Sequence, residues 1–236
     1  DPTKGTLHLK GMIMTNPEWN WGIHPTTFVN KGKQYLLWSG WPKRRIEAET
    51  QCIYIASMKN PWTLDSKRVM ISYPKYEWER QWINPDGMRA AYPIYVNENP
   101  EYFFSQDKKK VLVFYSASGC WTHYNCEGML SADVNSNLLN PMSWTKSKEP
   151  VFIQSTRNGL FGPASVSFIP SPDKTEWFIL YQAKTFSKSP NGTMIREGSI
   201  VNSIRLQKIN WSPQGMPILG KPIPTDSVMS RPSGTK

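Results

Sequence analysis

The chain has 236 residues, a formal net charge of +10 and 13% aromatic residues, together with 20 prolines and 15 glycines. No apolar run reaches the roughly 18 residues of a membrane-spanning helix, and no window keeps a helical period. The basic residues are scattered, and the short runs at 42–45 and 107–110 are typical of solvated turns. The composition therefore indicates short strands joined by tight turns, and neither a membrane protein nor a nucleic-acid-binding protein.

Three stretches of the chain follow one pattern. Each starts near a proline, continues as a short apolar strand, passes a polar turn and ends in a stronger strand of aromatic and aliphatic residues. This pattern predicts a hairpin. A second pair of strands follows each hairpin, and the last strand of the pair is expected at 150–155 in the second copy and at 221–224 in the third. Each copy therefore predicts a four-stranded meander. The three stretches are 24–40, 99–118 and 162–183.

Radial repetition of four-stranded meanders is the signature of a β-propeller. The sequence therefore predicts an all-β fold, a single β-propeller domain over 1–236 built from four-stranded blades. Residues 7–19 are similar to the outer part of a blade, so the propeller is expected to be incomplete at its N-terminal side. The predicted divisions are 1–20 for the outer part of a blade, 21–82, 93–157 and 160–224 for three blades, and 225–236 for a tail.

The cysteines leave open whether one pair forms a disulfide or stays as free thiols. Cys120 and Cys126 bracket a five-residue loop that a disulfide would close in an oxidising compartment, whereas Cys52 lies in an apolar strand and is predicted to be a buried thiol. No paired CxxC and no histidine cluster indicates a zinc site. Glycosylation sequons at 191–193 and 210–212 favour a secreted protein.

The stretch PIYVNENPEYFF at 93–104 holds a carboxylate, Glu98, between apolar and aromatic residues. A strand that enters a core does not carry a charge there without a need for it. Two interpretations follow from the residues alone: a solvated acid in the loop before the strand, or a functional carboxylate at the open end of a blade strand. Glu101, three residues later, is the second candidate.

Several motifs, in order, resemble the five-bladed propeller glycoside hydrolases of family 43: LLWSGW, IYIASMKNPWTL, YVNENPE, VFYSASGCW, MLSADVNSNLLNPMSWTKS and GPASVSF. That family contains α-L-arabinofuranosidases, β-xylosidases and arabinanases. The resemblance runs from about Leu7 to Pro224 and covers the later part of such a domain. It implies inverting hydrolysis of arabinose- or xylose-containing glycosides by a general base, a tuning aspartate and a general acid.

The resemblance implies roles for particular residues. Glu98 stands at the position of the general acid, where low solvent exposure would raise its pKa. His24, in WGIHPTT, stands at the position of the tuning aspartate, and a neutral structural histidine is the alternative. Asp1 precedes a proline, as the family's base often does, but it falls in the outer-blade remnant and is rejected. The base is therefore expected outside this chain.

Further residues are candidates for binding the sugar. Arg205 matches a family arginine that reaches the sugar-binding cavity, although it could equally be a solvent-facing arginine on a strand edge. Trp21, Trp41 and Trp121 are candidate platforms on which sugar rings stack.

Ser165 and Gln182 stand where the family often has histidines that help to hold a central ion. No cofactor is expected to be required. The two substitutions weaken the expectation of an axial Ca²⁺ or Na⁺ ion, and no metal ligand is assigned.

Two functions remain open at this level. The first is the later part of a secreted glycosidase acting on arabinan or arabinoxylan, with a separate or upstream N-terminal segment completing the propeller. The alternative is a catalytically impaired propeller that still binds carbohydrate, as the residues at His24, Ser165 and Gln182 would suggest. Neither a nucleic acid nor a membrane is an expected partner.

Overall fold

The computed structural model describes residues 4–43, 50–83, 94–188, 194–196 and 203–235. Within these ranges the regular structure is all strand, apart from two single-turn 3-10 helices at Glu77–Glu79 and Pro141–Ser143. The described part of the chain has no helix long and apolar enough to cross a membrane. The prediction of an all-β fold is confirmed.

The first blade is an antiparallel meander. Its strands are β1 (Gly22–Asn30), β2 (Lys33–Gly40), β3 (Thr50–Asn60), β4 (Thr63–Leu64) and β5 (Val69–Ser72). β1 pairs with β2 and β2 with β3, while β4 and β5 both pair with β3. The hairpin predicted at 24–40 is therefore present.

The second blade repeats this order. Its strands are β6 (Tyr95–Phe104), β7 (Lys110–Ala117), β8 (Cys126–Asp133) and β9 (Thr145–Lys146). Each pairs antiparallel with the next, and a short parallel contact between β3 and β6 joins the first two blades. The strand expected at 150–155 is reduced to two isolated bridges, one between Glu127 and Phe152 and one between Ser155 and Leu160.

The third blade has a different outer part. Its strands are β10 (Leu160–Pro170), β11 (Trp177–Lys188), β12 (Met194–Arg196) and β13 (Ser203–Lys208), and a separate hairpin follows with β14 (Asn210–Trp211) and β15 (Pro217–Ile218). β11 pairs with β10, β12 and β13. The hairpin predicted at 162–183 is present.

No strand forms at 221–224, which the sequence predicted as an outer strand of this blade. Pro222 and Pro224 lack the N–H donors that a ladder needs. The buried side chain of Gln207 takes over: its Nε2 donates to the carbonyls of Leu219 and Lys221, and its Oε1 accepts from the amide of Ile223. An amide side chain thus replaces the expected strand pairing.

Residues 4–21 contain no regular strand. Leu7 and Leu9 are largely exposed, whereas Ile13 packs against a buried cluster of the first blade that includes Leu36 and Trp38. The assignment of 1–20 to the outer part of a preceding blade stays a prediction, and so do the blade boundaries. Residues 1–3 and 93 lie outside the described ranges.

The core lies between the blades. Along β7, Val111, Val113 and Tyr115 belong to the apolar cluster shared with the first blade, whereas Leu112 and Phe114 belong to the cluster shared with the third. This alternation is the two-residue period of a strand buried on both faces.

Candidate functional site

A backbone irregularity recurs in the first strand of all three blades. In each blade the residue directly before the proline of the repeat has a left-handed backbone conformation: φ is 52° at His24, 50° at Asn99 and 57° at Gly162. At the same place the pairing with the second strand slips, as in a β-bulge. Bulges redirect side chains and bend a strand. Corresponding segments of the three blades are therefore reshaped in the same way, and Glu98 lies in one of them.

Glu98 is a buried carboxyl group at this bulge. Its residue is only 8% exposed. Burial disfavours the charged form and raises the pKa of Glu98 to about 7. A carboxyl group with this pKa is partly protonated at neutral pH, as a general acid must be.

His24 of the first blade lies opposite Glu98. Its Nδ1 is 4.0 Å from Glu98 Oε2, and its side chain is 42% exposed. Partial burial lowers the pKa of His24, so the imidazole is mostly neutral at neutral pH. The structure brings these two sequence-predicted residues together. At this distance the neutral ring does not hold the carboxyl in its charged form, because a fixed opposite charge would be needed for that.

Glu101, the second candidate, lies beyond the bulge. Burial raises its pKa to about 7 and a hydrogen bond with the side chain of Thr26 lowers it again. The pKa values therefore do not separate Glu98 from Glu101. Their positions do, because Glu98 faces His24 across the blades whereas Glu101 is engaged with Thr26 on β1.

Ser165 and Gln182 meet in one polar cluster. Ser165 Oγ accepts hydrogen bonds from Gln182 Nε2 at 3.1 Å and from Asn99 Nδ2 at 2.8 Å. A hydroxyl oxygen has two lone pairs, and both are used here. Ser165 is thus poorly suited to ligate an axial cation. Among the described residues, no group of three or more His, Cys, Asp or Glu is arranged to hold a metal.

Trp21 and Trp41 form a stacked pair beside His24. Their ring centroids are 4.8 Å apart, and the amide of Trp41 donates to the carbonyl of Trp21. Both rings are partly exposed. A partly exposed indole pair is suited to stacking on a sugar ring, and sugar binding by these residues stays a prediction.

Trp121 lies in the loop between β7 and β8. Its Nε1 donates to the carbonyl of Trp82 at 2.9 Å. The neighbouring Cys120 feels the charge of Glu98, which adds to burial in raising the pKa of its thiol, so this loop lies near the acid. Cys120 and Cys126 are free, and Cys52 is a buried thiol as predicted. The loop-closing disulfide is therefore not formed in this structure.

Arg205 occupies a different environment. Its guanidinium donates to Thr225 Oγ1 at 3.0 Å and lines a cleft of about 340 Å³ with Ile223 and Met229. The contacts recorded for the described residues join it to this C-terminal segment and not to Glu98 or His24. Its role in sugar binding stays a prediction.

A buried ion pair supports the strand that carries Glu98. Lys146 Nζ lies 2.5 Å from Glu79 Oε1, and both contact the side chain of Asn97, the residue before Glu98. Ser72 Oγ also donates to Asn97. Groups from both of the first two blades thus fix the start of β6.

Sequence reasoning missed two residues beside Glu98. Ser116 on β7 pairs with Glu98 on one side and with Glu127 of β8 on the other. Glu127 is fully buried. Its signal was present in the sequence, since CEGML places a carboxylate in an apolar strand, just as the stretch around Glu98 does.

Comparison with known proteins gives the same family over most of the chain. The profile described as "Glycosyl hydrolases family 43" matches residues 1–217. Alpha-L-arabinofuranosidase 43 of Humicola insolens is 33% identical over 225 residues, which are 95% of this chain and 43% of that protein. The extracellular exo-alpha-(1->5)-L-arabinofuranosidase of Streptomyces avermitilis is 34% identical over 223 residues, 94% of this chain and 42% of that protein.

Solved structures agree. The α-L-arabinofuranosidase from Lactobacillus brevis superposes with a TM-score of 0.76 at 28% identity, covering 93% of this chain and 61% of that one. A thermostable family-43 glycoside hydrolase, at 21% identity and a TM-score of 0.67 over 91% of this chain and 62% of that one, supports the fold alone. The matched part of the chain spans less than half the length of the Humicola insolens and Streptomyces avermitilis relatives.

Proposed function

The chain belongs to glycosyl hydrolases family 43, and from this premise we propose that it is part of a glycosidase that uses Glu98 as its general acid. The observation that carries the proposal is the buried carboxyl of Glu98, with a pKa raised to about 7, at a bulge facing His24. The substrate class is an arabinose- or xylose-containing glycoside. Relatives named α-L-arabinofuranosidase favour the arabinose side of that pair.

In this reaction Glu98 donates its proton to the glycosidic oxygen as the bond to the anomeric carbon breaks. Burial keeps the proton on the carboxyl until the leaving oxygen can accept it. His24 orients the carboxyl without supplying a fixed negative charge. Trp21 and Trp41 stack on the sugar.

Inversion also requires a base that activates water on the opposite face of the sugar, with the two carboxyl groups roughly 6.5–9.5 Å apart. We infer that this base belongs to a further segment of the protein. The support is that two of the curated relatives, from Humicola insolens and Streptomyces avermitilis, are more than twice as long as the part of them that matches. Asp1, which the sequence analysis rejected as the base, lies outside the described residues.

Secretion is part of the proposal. Two Streptomyces relatives are named extracellular enzymes, and polymers such as arabinan and arabinoxylan are met outside the cell. The sequon at 210–212 lies at the exposed Asn210 of β14, whereas the sequon at 191–193 lies outside the described residues.

The test is hydrolysis of an aryl α-L-arabinofuranoside and an aryl β-xyloside. It uses the full native protein, including any segment beyond residues 1–236 that supplies the base. Glu98→Gln is compared with Glu149→Gln, an exposed carboxylate of the second blade. With aryl groups derived from weakly acidic phenols, we expect turnover that Glu98→Gln loses and Glu149→Gln keeps, and the product observed first by NMR to have the inverted anomeric configuration. Sugar binding without turnover in the native protein would instead support a carbohydrate-binding propeller.

A further inference from the structure

We propose that Glu127 is a positioning residue for Glu98, and that the two carboxyl groups, joined through Ser116, act as one coupled pair that keeps a proton at the site across the neutral range. This inference rests on the proposed function of Glu98 as the acid. The first support is the register between the strands β6, β7 and β8. Glu98, Ser116 and Glu127 are direct cross-strand neighbours on β6, β7 and β8. Directly opposed residues present their side chains on the same face of a sheet.

The second support is the hydrogen bonding between these residues. Ser116 Oγ donates to Glu127 Oε1 at 3.0 Å and accepts from the amide of Ser165 at 2.9 Å. Ser165 in turn contacts Asn99, the residue after Glu98. Glu127 is therefore linked to the bulge of Glu98 both along the sheet and through the third blade.

The third support is burial. Glu127 has no exposed surface, and among the described residues its Oε2 receives no hydrogen bond of normal geometry, although the amides of Val166 and Ser165 lie near enough to the carboxyl group to lower its pKa. An ionised carboxylate with an unpartnered oxygen is costly in such a place, so the protonated form is favoured. Because it cannot reach solvent, Glu127 is not a base for the attacking water.

Electrostatic coupling joins the two groups. The pKa of Glu127 is raised to about 8, mainly by burial. The hydrogen bond from Ser116 and the nearby amides of Val166 and Ser165 oppose this rise, and the charge of Glu98 adds to it. As Glu98 has a pKa of about 7, the pair loses its first proton mainly from Glu98. Interacting sites of this kind titrate as a pair.

Other ionisable groups face the pair from the surrounding elements. His24 on β1 faces Glu98, Cys120 in the β7–β8 loop couples to Glu98, and Cys126 on β8 couples to Glu127. Lys184 on β11 is held by the carbonyls of Cys120 and Thr122. The thiols have raised pKa values and stay neutral near pH 7. Glu101, beyond the bulge on β6, also has a pKa raised to about 7 but is engaged with Thr26 on β1. Glu127 is thus the titrating carboxyl group in cross-strand register with Glu98.

The consequence for catalysis concerns alkaline pH. As the pH rises above 7, the pair shares one remaining proton. In the molecules where Glu127 is the ionised partner, the proton on Glu98 is harder to lose, because two like charges would lie close together. The protonated acid therefore persists to higher pH than an isolated Glu98 would allow. The alkaline limb of kcat/KM is expected to be broad instead of a single-proton decline.

The experiment is a carboxyl ¹³C NMR titration of Glu98 in the native protein, in Glu127→Gln and in Glu149→Gln, together with kcat/KM profiles. We expect two steps about one pH unit apart in the native protein and in Glu149→Gln, and one step near pH 7 in Glu127→Gln. The alkaline limb of kcat/KM should steepen in Glu127→Gln alone. An unchanged Glu98 titration in Glu127→Gln would overturn the proposal.

A second variant covers a failure of Glu127→Gln to fold. Ser116→Ala keeps both carboxyl groups but removes a hydrogen bond that lowers the pKa of Glu127, so the second step should move to higher pH. A second step that stays in place in Ser116→Ala overturns the proposal. The NMR readout does not need turnover: a coupled titration in a protein that hydrolyses neither glycoside would refute the proposed function and leave the pair intact.

Discussion

His24 Nδ1 lies 4.0 Å from Glu98 Oε2, with the two residues on first strands of neighbouring blades. The histidine's pKa is lowered by burial and that of the carboxyl is raised by burial. Both groups are thus driven toward their neutral forms. A neutral acid beside a neutral imidazole is an arrangement in which desolvation, and not a fixed charge, holds the proton on the acid.

His24→Asp tests this reading of the pair. A fixed negative charge beside Glu98 disfavours its ionisation, so the pKa of Glu98 should rise above 7 by roughly one unit. The backbone tolerates the change, since aspartate and asparagine are the residues most readily accepted at positive φ. The measurement is the alkaline limb of the pH–kcat/KM profile, which should move to higher pH.

His24→Asn is the matched control for that substitution. It fits the same backbone and carries no charge, so its alkaline limb should stay near that of the native protein. Equal profiles for the aspartate and asparagine variants would show that Glu98 does not sense charge at position 24.

Glu127→Gln should stabilise the protein increasingly as the pH rises. The pKa of Glu127 is about 8 when folded, against an ordinary value of 4.5. Above pH 4.5 the unfolded chain releases this proton while the folded protein retains it, so stability falls until the pH passes 8, by about 1.4 kcal/mol per pH unit. The glutamine variant lacks this loss. Thermal unfolding at pH 5 and pH 8 measures the difference.

The expected result is a small difference in melting temperature between Glu127→Gln and the native protein at pH 5 and a clear gain for the variant at pH 8. Glu149→Gln should show no such growth. A gain of equal size at both pH values would contradict the assignment of a protonated Glu127.

Lys146→Met should be strongly destabilising. It removes the cation from Glu79, which is fully buried and also accepts hydrogen bonds from Asn97 and Tyr115. Leaving one buried charge without its partner costs about 3–5 kcal/mol. Urea denaturation gives the free energy of unfolding.

Lys208→Met serves as the comparison, because Lys208 and its partner Glu176 are partly exposed. Such a solvent-exposed pair contributes little to the free energy of unfolding. Similar losses in the two variants would mean that Glu79 finds another partner or a proton once Lys146 is gone.

Gln207→Leu should loosen the C-terminal segment. The side chain of Gln207 satisfies the backbone of Leu219, Lys221 and Ile223, and leaving a buried polar group unpaired costs about 1–3 kcal/mol. We expect faster amide hydrogen exchange at the amide of Ile223 and a lower free energy of unfolding. Gln214→Leu, at an exposed position, should change neither.

The all-β fold could be predicted from the sequence because the same hairpin pattern occurs three times along the chain. Hairpin strands are local, and their proline, turn and aromatic strand recur in each copy. The proximity of His24 and Glu98 was implied by the family resemblance, which assigns both residues to positions of one catalytic site. By contrast, the outer strand expected at 221–224 was wrong, since a side chain of β13 makes the hydrogen bonds that a strand would have made.

The Glu98–Ser116–Glu127 row could not be read in the same way. It depends on the register between β6, β7 and β8, which is fixed by a bulge and by an eight-residue loop whose geometry the sequence does not specify. Shifting the register by one residue would move Ser116 to the other face. A carboxylate in an apolar strand is a usable signal, but it identifies a partner only once the strands are paired.

The most direct test of Glu98 as the general acid is how the loss of activity in Glu98→Gln depends on the leaving group of the substrate. Aryl α-L-arabinofuranosides whose phenols range from weakly to strongly acidic are compared in the native protein and the variant. If Glu98 is the acid, hydrolysis of the poorest leaving groups should fall by about 10²–10⁴-fold, while that of the most acidic phenols, which depart without a proton, should fall far less. An equal loss across the whole series would contradict the assignment of Glu98 as the general acid.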